Sequence, residues 1–265
     1  MELTHRIIHL DTIDSTNRYL REMDCPAEED LLVCVADFQT AGRGQGTNTW
    51  ESEKGKNLLF SVLAKPMDIA PTRQFILSEA CALALKDVLD ARVDDITLKW
   101  PNDIYWQDSK LSGTLIETSL SGGRIRHCIF GVGLNVNQRE FKSDAPNPVS
   151  LWQIVQHETD REHLLEQIIC QLKRRLEQAY QGCYDEIQQA YHQALYRKDG
   201  YHPYRDENGV FLARIIEVKP DGHLILDDMQ GEQRTYAFKE VEFFRGQGTR
   251  GKGQEITQQA FFLNS

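Results

Sequence analysis

Two runs rich in valine and leucine set the frame of this chain: LLVCVADF at 31–38 and NLLFSVLAKP at 57–66. Each is short, apolar and bounded by turn formers, the pattern of a buried strand. The connection between them is the constraint. It holds about eighteen residues, with Gly42, Gly44 and Gly46 set around Arg43 and a lone Trp50 beyond. A loop of that length inside a compact domain is usually functional. Glycines let backbone N–H groups converge on one point as an anion nest, and an arginine adds a planar fork for carboxylate or phosphate. The alternative is a flexible connector. The pentapeptide RGQGT recurs at 245–249, in a polar glycine-rich tail expected to fray, so the flanking strands and not the five residues give the first copy its meaning. Neither a GxxxxGK[ST] loop nor GxGxxG at a strand-to-helix turn is present.

The remaining elements follow from periodicity. HRIIHL (5–10) predicts a strand. The next stretch predicts a helix capped at Ser15 or Thr16, with Tyr19, Leu20 and Met23 on one face. Pro71 is expected to open a long helix to about Ala91, and ITLKW (96–100) a strand ended by Pro101. KLSGTLIETSL and RIRHCIFGVGLNV read as a hairpin turned by SGG at 121–123. Leu165, Ile168, Leu172, Leu176 and Ala179 stripe a helix from Asp160 to about Tyr180, and DEIQQAYHQAL gives another. Strands come partly as neighbours and partly separated by helices, so the fold class is α+β, a mixed β-sheet with helices packed on it. Past Arg197, KDGYHPYRDENG reads as loop and four short strands follow, a small barrel or sandwich. The division falls at 1–197 and 198–265.

Charge and cysteines narrow the function. The net charge of −10 argues against a protein built to grip nucleic acid through its phosphates. Six cysteines without a CxxC pair predict buried, inert thiols. No signal pattern or membrane-length apolar run is visible, which makes a cytoplasmic location and no membrane partner the expectation. HETDREH puts Arg161 where a zinc motif needs histidine, no GxSxG elbow occurs, and His163 and His192 are expected on helix surfaces.

Two more constellations stand out. In LKWPNDIYWQDSKLSGTLIE (98–117), Lys99 and Lys110 bracket a turn at Pro101, Asn102 and Asp103, and Gly113 leaves room for close approach to the backbone. A surface hairpin with solvated lysines is the plain alternative. In GVGLNVN (131–137), alternate glycines weaken a strand unless something lies against them, and Asn135 and Asn137 share a face by the period of two.

IDSTN, QTAGRG with a downstream tryptophan, KWPNDIY with KLSG, and GVGLNVN, in that order, resemble the successive fingerprints of the biotin–protein ligase family, closely over roughly residues 7–137. The resemblance implies a class II synthetase-like catalytic domain at 1–197 and a small SH3-like β-barrel at 198–265. It implies the ligase-only type, without an N-terminal DNA-binding domain. The implied reaction joins biotin to MgATP as biotinyl-5′-AMP, then passes biotin to a lysine of a biotin carboxyl carrier protein domain. By family position Lys110 and Arg43 are the catalytic cations. Ser15, Thr16, Asn17 and Gln39 match the biotin head-group contacts, with Gly44, Gln45 and Gly113 beside them. Gly42 and Arg43 would close over the phosphate, and Trp50 would stack on adenine or seal the loop. Asp103 and Asn135, with Asn102 as neighbour, match positions at the adenylate and its Mg2+; no separate structural metal is implied. A homodimer is compatible with the family. Gln45 departs from it, since a second basic residue is common there; a faster-opening loop that leaks its intermediate is the expected consequence. The competing readings are a lipoate–protein ligase of related fold, a non-catalytic biotin or nucleotide sensor and, least supported, an RNA-binding module.

Overall fold

A computed structural model describes residues 3–23, 29–44, 46, 48–65, 69–142 and 147–245. The large sheet has seven strands: β1 (His5–Ile13), β2 (Leu31–Gln39), β3 (Leu58–Ala64), β4 (Ile96–Lys99), β5 (Asp103–Trp106), β6 (Ser109–Ser121) and β7 (Arg124–Leu134). Their spatial order is β1-β2-β3-β7-β6-β5-β4. Only β1 and β2 run parallel; the other neighbours are antiparallel, so the sheet is mixed as expected. The β6–β7 turn uses Gly122 and Gly123 at φ 58° and 76°, the left-handed pair a two-residue hairpin turn demands.

Alternation along the strands sorts the two faces of the sheet. Leu31, Val33 and Val35 of β2, Leu58, Phe60 and Val62 of β3, and Phe130, Val132 and Leu134 of β7 enter the main core. There they meet α2 (Phe75–Asp90) and α4 (Arg161–Tyr180), which pack on each other. The opposite face carries Leu32, Cys34, Leu63 and Ile129 against Leu20 of the short helix α1 (Thr16–Arg21). That second face also carries the site.

Several expectations need correction. Pro71 opens one turn of 3-10 helix, Pro71–Arg73, and α2 starts only at Phe75. Met23 lies exposed instead of sharing the buried face of Leu20. The stretch after Pro101 is strand β5, and a capped helix α3 (Leu151–Val155) follows the Asn147–Pro148 loop. After α5 (Tyr184–Gln193), HPYRD within the supposed loop is strand β8 (His202–Asp206). It joins β9 (Gly209–Val218), β10 (Leu224–Asp228), β11 (Gln233–Tyr236) and β12 (Glu242–Phe243) in a sheet of order β11-β10-β9-β8-β12. Five strands, not four, therefore build the small SH3-like unit. Cys34, Cys81 and Cys128 are buried as expected, and burial pushes the Cys34 and Cys81 thiols up to about 12; Cys170 is exposed and Cys183 partly so. Cys25 and the second RGQGT copy beyond Arg245 lie outside the described residues.

The small sheet is seated on the β4–β5 edge. Trp100 Nε1 donates to Gly222 O at 2.9 Å, and the Trp100 and Phe238 rings lie 6.2 Å apart. His192 is partly exposed, and its Nε2 meets Ile216 O at 2.9 Å. The aromatic residues of the small sheet, Tyr204, Tyr236 and Phe243, belong to the common core. Among the described residues no helix is long and apolar enough to cross a membrane.

Candidate active site

Strand register builds the site. Leu59 pairs with Gly133, Gly133 with Gly113, and Gly113 with Asp103, a row running across β3, β7, β6 and β5. The next row holds Ser61, Gly131 and Leu115. The glycines of GVG thus stand on the cleft face, while Val132 and Leu134 enter the core. What lies against them is now plain. A Cβ on Gly131 would overlap the Asn17 amide, and one on Gly133 would overlap the Trp50 indole. Gly113 meets Trp50 and Lys110 Nζ, each 3.1 Å from where its Cβ would stand.

A bulge aims the key lysine. Ile104 pairs with Ser112 but Tyr105 with Lys110, so Leu111 is the extra residue. In an unbroken strand, residues 110 and 113 would point to opposite faces; the bulge brings both to the cleft. Lys110 Nζ then lies 2.7 Å from Asp103 Oδ1 and 5.7 Å from the centre of the Trp50 ring. Lys99 occupies the neighbouring strand with Nζ 3.0 Å from Tyr105 Oη, over the Tyr105 and Phe243 rings. Burial pushes its ammonium down to about 8; Asp103 opposes that shift, and Arg245 and Lys110 add to it.

One end of the cleft is a closed hydrogen-bond network. Gln39 Oε1 accepts from Thr16 N (2.8 Å) and Thr16 Oγ1 (3.1 Å). Ser61 Oγ bridges Thr16 Oγ1 (2.7 Å) and Asn17 Oδ1 (2.6 Å), and Asn17 Nδ2 donates to Glu117 Oε2 at 2.9 Å. Ser15, Thr16, Asn17 and Ser61 are all buried. The network fixes Gln39 through its oxygen and leaves its amide nitrogen to face the cleft wall near Gly42. Ser61 and Glu117 were not anticipated. The signal for Ser61 was a lone hydroxyl in the otherwise apolar run LLFSVLA.

The other end is unfinished. Among the described residues, Trp50 Nε1 and Asn135 Oδ1 are buried without a hydrogen-bond partner. Asn135 is held through its nitrogen on Val149 O at 3.0 Å. It shares no strand face with Asn137, because β7 stops at Leu134 and Asn137 staples the loop at Thr159. The amide nitrogen of Asn102 is spent on Thr114 O. The glycine loop is a short two-stranded arm: Arg43 bridges Thr49, Gly44 N donates to Asn48 O at 2.7 Å, and Trp50 N to Gly42 O at 3.1 Å. Gly44 N–H is therefore committed within the arm, and the left-handed glycine is Gly46, at φ 70°. This replaces the expected nest of converging N–H groups with an arm that carries Arg43 exposed over the cleft. Gln45 lies outside the described residues.

The cleft encloses about 820 Å³ and reaches from Ser15, Thr16 and Gln39, past Arg43, Trp50, Asp103, Lys110, Gly113 and Asn135, to Lys239 and Phe243 of the small sheet. Arg43, Lys99, Lys110 and Lys239 line it against Glu51, Asp103 and Glu242, a local cationic excess in an acidic chain. A neutral, preorganised pocket that opens onto a cationic trough suits a ligase, an enzyme that joins a small carboxylic acid to a second group.

Comparison with known proteins makes the assignment specific. The model of the biotin/lipoate A/B protein ligase family matches residues 10–135. The bifunctional ligase/repressor BirA of Bacillus spizizenii is 29% identical over 238 residues, 87% of this chain and 72% of that protein. The biotin–[acetyl-CoA-carboxylase] ligase of Mycobacterium tuberculosis is 30% identical over 154 residues, 57% of this chain and 56% of that protein. The biotin protein ligase from Aquifex aeolicus, solved in complex with biotin and ATP, superposes with a TM-score of 0.72 at 25% identity, covering 89% of this chain and 97% of that one. In sequence over residues 10–135, and in fold over most of its length, the chain is thus similar to biotin–protein ligases.

Proposed function

We propose that this enzyme binds biotin and ATP, forms biotinyl-5′-AMP, and transfers the biotinyl group to a lysine of a biotin carboxyl carrier protein domain. The observation that carries the reading is a single cleft with Ser15 and the Thr16–Gln39 network at one end and Lys110, Arg43 and Trp50 at the other. The Mycobacterium relative bears a biotin ligase name, and the Aquifex biotin protein ligase structure holds biotin and ATP.

The chemistry follows from charge. A carboxylate and a triphosphate repel, so their approach needs fixed positive charge. One charge pair at 4 Å contributes about 4 kcal/mol at an effective dielectric near 20. In the first step a biotin carboxylate oxygen attacks the α-phosphorus and the bond to pyrophosphate breaks. Lys110, held by Asp103 and aimed by the bulge, stabilises the charge shared between carboxylate and α-phosphate. In the second step the acceptor amine attacks the acyl carbon, the bond to AMP breaks, and the amine loses a proton. Gln39 Nε2 and the Ser15 hydroxyl supply polar contacts for the ureido ring, and Arg43 covers the phosphate. The buried, unpaired Asn135 Oδ1 is an acceptor suited to the nucleotide. Mg2+ would arrive with ATP, neutralising phosphate charge beside the oxygens of Asp103 and Asn135. The small sheet, through Phe238, Lys239 and Phe243, closes the cleft from the far side.

Biotin-dependent exchange of pyrophosphate into ATP tests this reading. Exchange with biotin and none with lipoate is expected, and calorimetry should give the same preference. Lipoate-dependent exchange would move the enzyme to the other branch of the family. Binding of both ligands without exchange would make it a sensor.

A further inference from the structure

Lys239 sits in the turn between β11 and β12, on the small sheet, yet it lines the cleft of the large one. Its φ is 74°, the left-handed region where glycine is at home and a residue with a Cβ is strained. The turn around it is closed by Glu240 N donating to Ala237 O (3.2 Å) and Ala237 N to Glu240 Oε2 (2.7 Å). Phe238 anchors it on Trp100. From this fixed base the lysine side chain extends to the glycine loop, where a Cβ built on Gly46 would fall on Lys239 Nζ. Among the described residues no carboxylate pairs with this ammonium; its one contact of note is its neighbour Phe238, with Nζ 5.9 Å from the ring centre. The loop it touches is poor in charge: from Thr40 to Ser52, Arg43 is the sole cation. A triphosphate carries several negative charges, and its cleft here presents an unpaired ammonium delivered by a strained turn of the other domain.

We propose that Lys239 binds the nucleotide phosphates, as the second cation of the glycine loop supplied from the small sheet. The inference rests on the biotin-activation reading above and adds a residue to it. Phosphate bound between Arg43 and Lys239 ties the loop to the small sheet, so loop closure and the seating of that sheet become one event. The strained backbone at 239 is then the cost of placing the charge.

The test compares wild type with Lys239→Gln, Lys239→Gly and the double variant Lys239→Gln with Gln45→Arg, using ATP as the probe in biotin-dependent exchange. Both single variants should raise KM for ATP about tenfold, with kcat and the calorimetric biotin Kd unchanged. Lys239→Gly should also melt at a higher temperature, since glycine relieves the turn. Gln45→Arg, one residue from Gly46, should recover most of the ATP affinity. KM values within twofold of wild type would overturn the proposal. So would a loss of ATP affinity that tracks a lower melting temperature and resists rescue, which marks a merely structural lysine. Absence of exchange in the wild type would sink the underlying reading and this inference with it, whereas normal exchange with unaffected variants sinks this inference alone.

Discussion

The two ends of the cleft are built on opposite plans. At the head-group end, Thr16, Asn17, Gln39, Ser61 and Glu117 satisfy one another at 2.6–3.1 Å, and the hydroxyls are buried. At the phosphate end, Trp50 Nε1 and Asn135 Oδ1 have no partner and Lys239 meets no carboxylate among the described residues, and Arg43 is exposed. A neutral ring with fixed donors and acceptors is best met by groups already in position, because each immobilised contact then costs little on binding. A polyanion is met differently. Cations closed on carboxylates would have to be released first, and among the described residues Arg43 and Lys239 are paired with none. On the proposed function, one half is preformed and the other is completed by its ligand.

The sharpest way to break this comparison is Lys110→Ala. It removes the cation of the phosphate end that is paired with a carboxylate, Asp103 at 2.7 Å. Biotin-dependent pyrophosphate exchange should fall by at least about 10²–10³-fold. The melting temperature should stay within a few degrees, since the pair is partly exposed and such pairs contribute little to stability. Exchange close to wild type would mean that another lysine performs this role, with Lys99 the obvious candidate.

Ser61→Ala asks whether the head-group end is the preformed half. The change removes the hydroxyl that lies between Thr16 Oγ1 and Asn17 Oδ1 and leaves a buried polar atom unsatisfied, at a cost of about 1–3 kcal/mol. We expect biotin Kd to rise about tenfold while KM for ATP moves less than twofold. Calorimetry with biotin and exchange kinetics at varied ATP measure both. Equal losses for the two substrates would show that the ends are one coupled unit.

Local signals were strong where one face of an element decides its fate. The apolar runs at 31–39 and 58–64 and the Gly122–Gly123 turn were legible for that reason. β8 was not: HPYRD opens on His-Pro and buries only Tyr204, so its strand character comes from pairing with β9 and β12. β5 hid behind Pro101. The site divides the same way. The glycines of GVG announced that something must lie on them, but only the register reveals Asn17 on Gly131 and Trp50 on Gly133. Lys110 and Gly113 stand an odd number of residues apart, which suggests opposite faces until the bulge is known. Glu117 and Lys239 carry no sequence signal, because each reaches the site from a distant segment.

The mildest distinction between the ends is a matter of protons. Burial holds the Lys99 ammonium near 8 against an ordinary 10.5, so its charge is lost as pH rises through about 8. Asp103 pulls the value up while Arg245, Lys110 and Arg197 push it down, and the Tyr105 hydroxyl, itself raised by burial, stays protonated over this range. Nucleotide phosphates favour the charged lysine. ATP affinity should therefore decline roughly three- to tenfold between about pH 7 and 9.5. Biotin affinity, set by neutral groups, should stay flat. Stability runs the other way. Between about 8 and 10.5 the unfolded chain binds the extra proton, so this group makes folding more favourable as pH rises, and unfolding cannot account for the weakened ATP binding. Lys99→Met should flatten the ATP profile and leave the biotin profile alone. A biotin profile that falls together with the ATP profile would place the titrating group at both ends, and the division of the cleft into a preformed and a ligand-completed half would have to be abandoned.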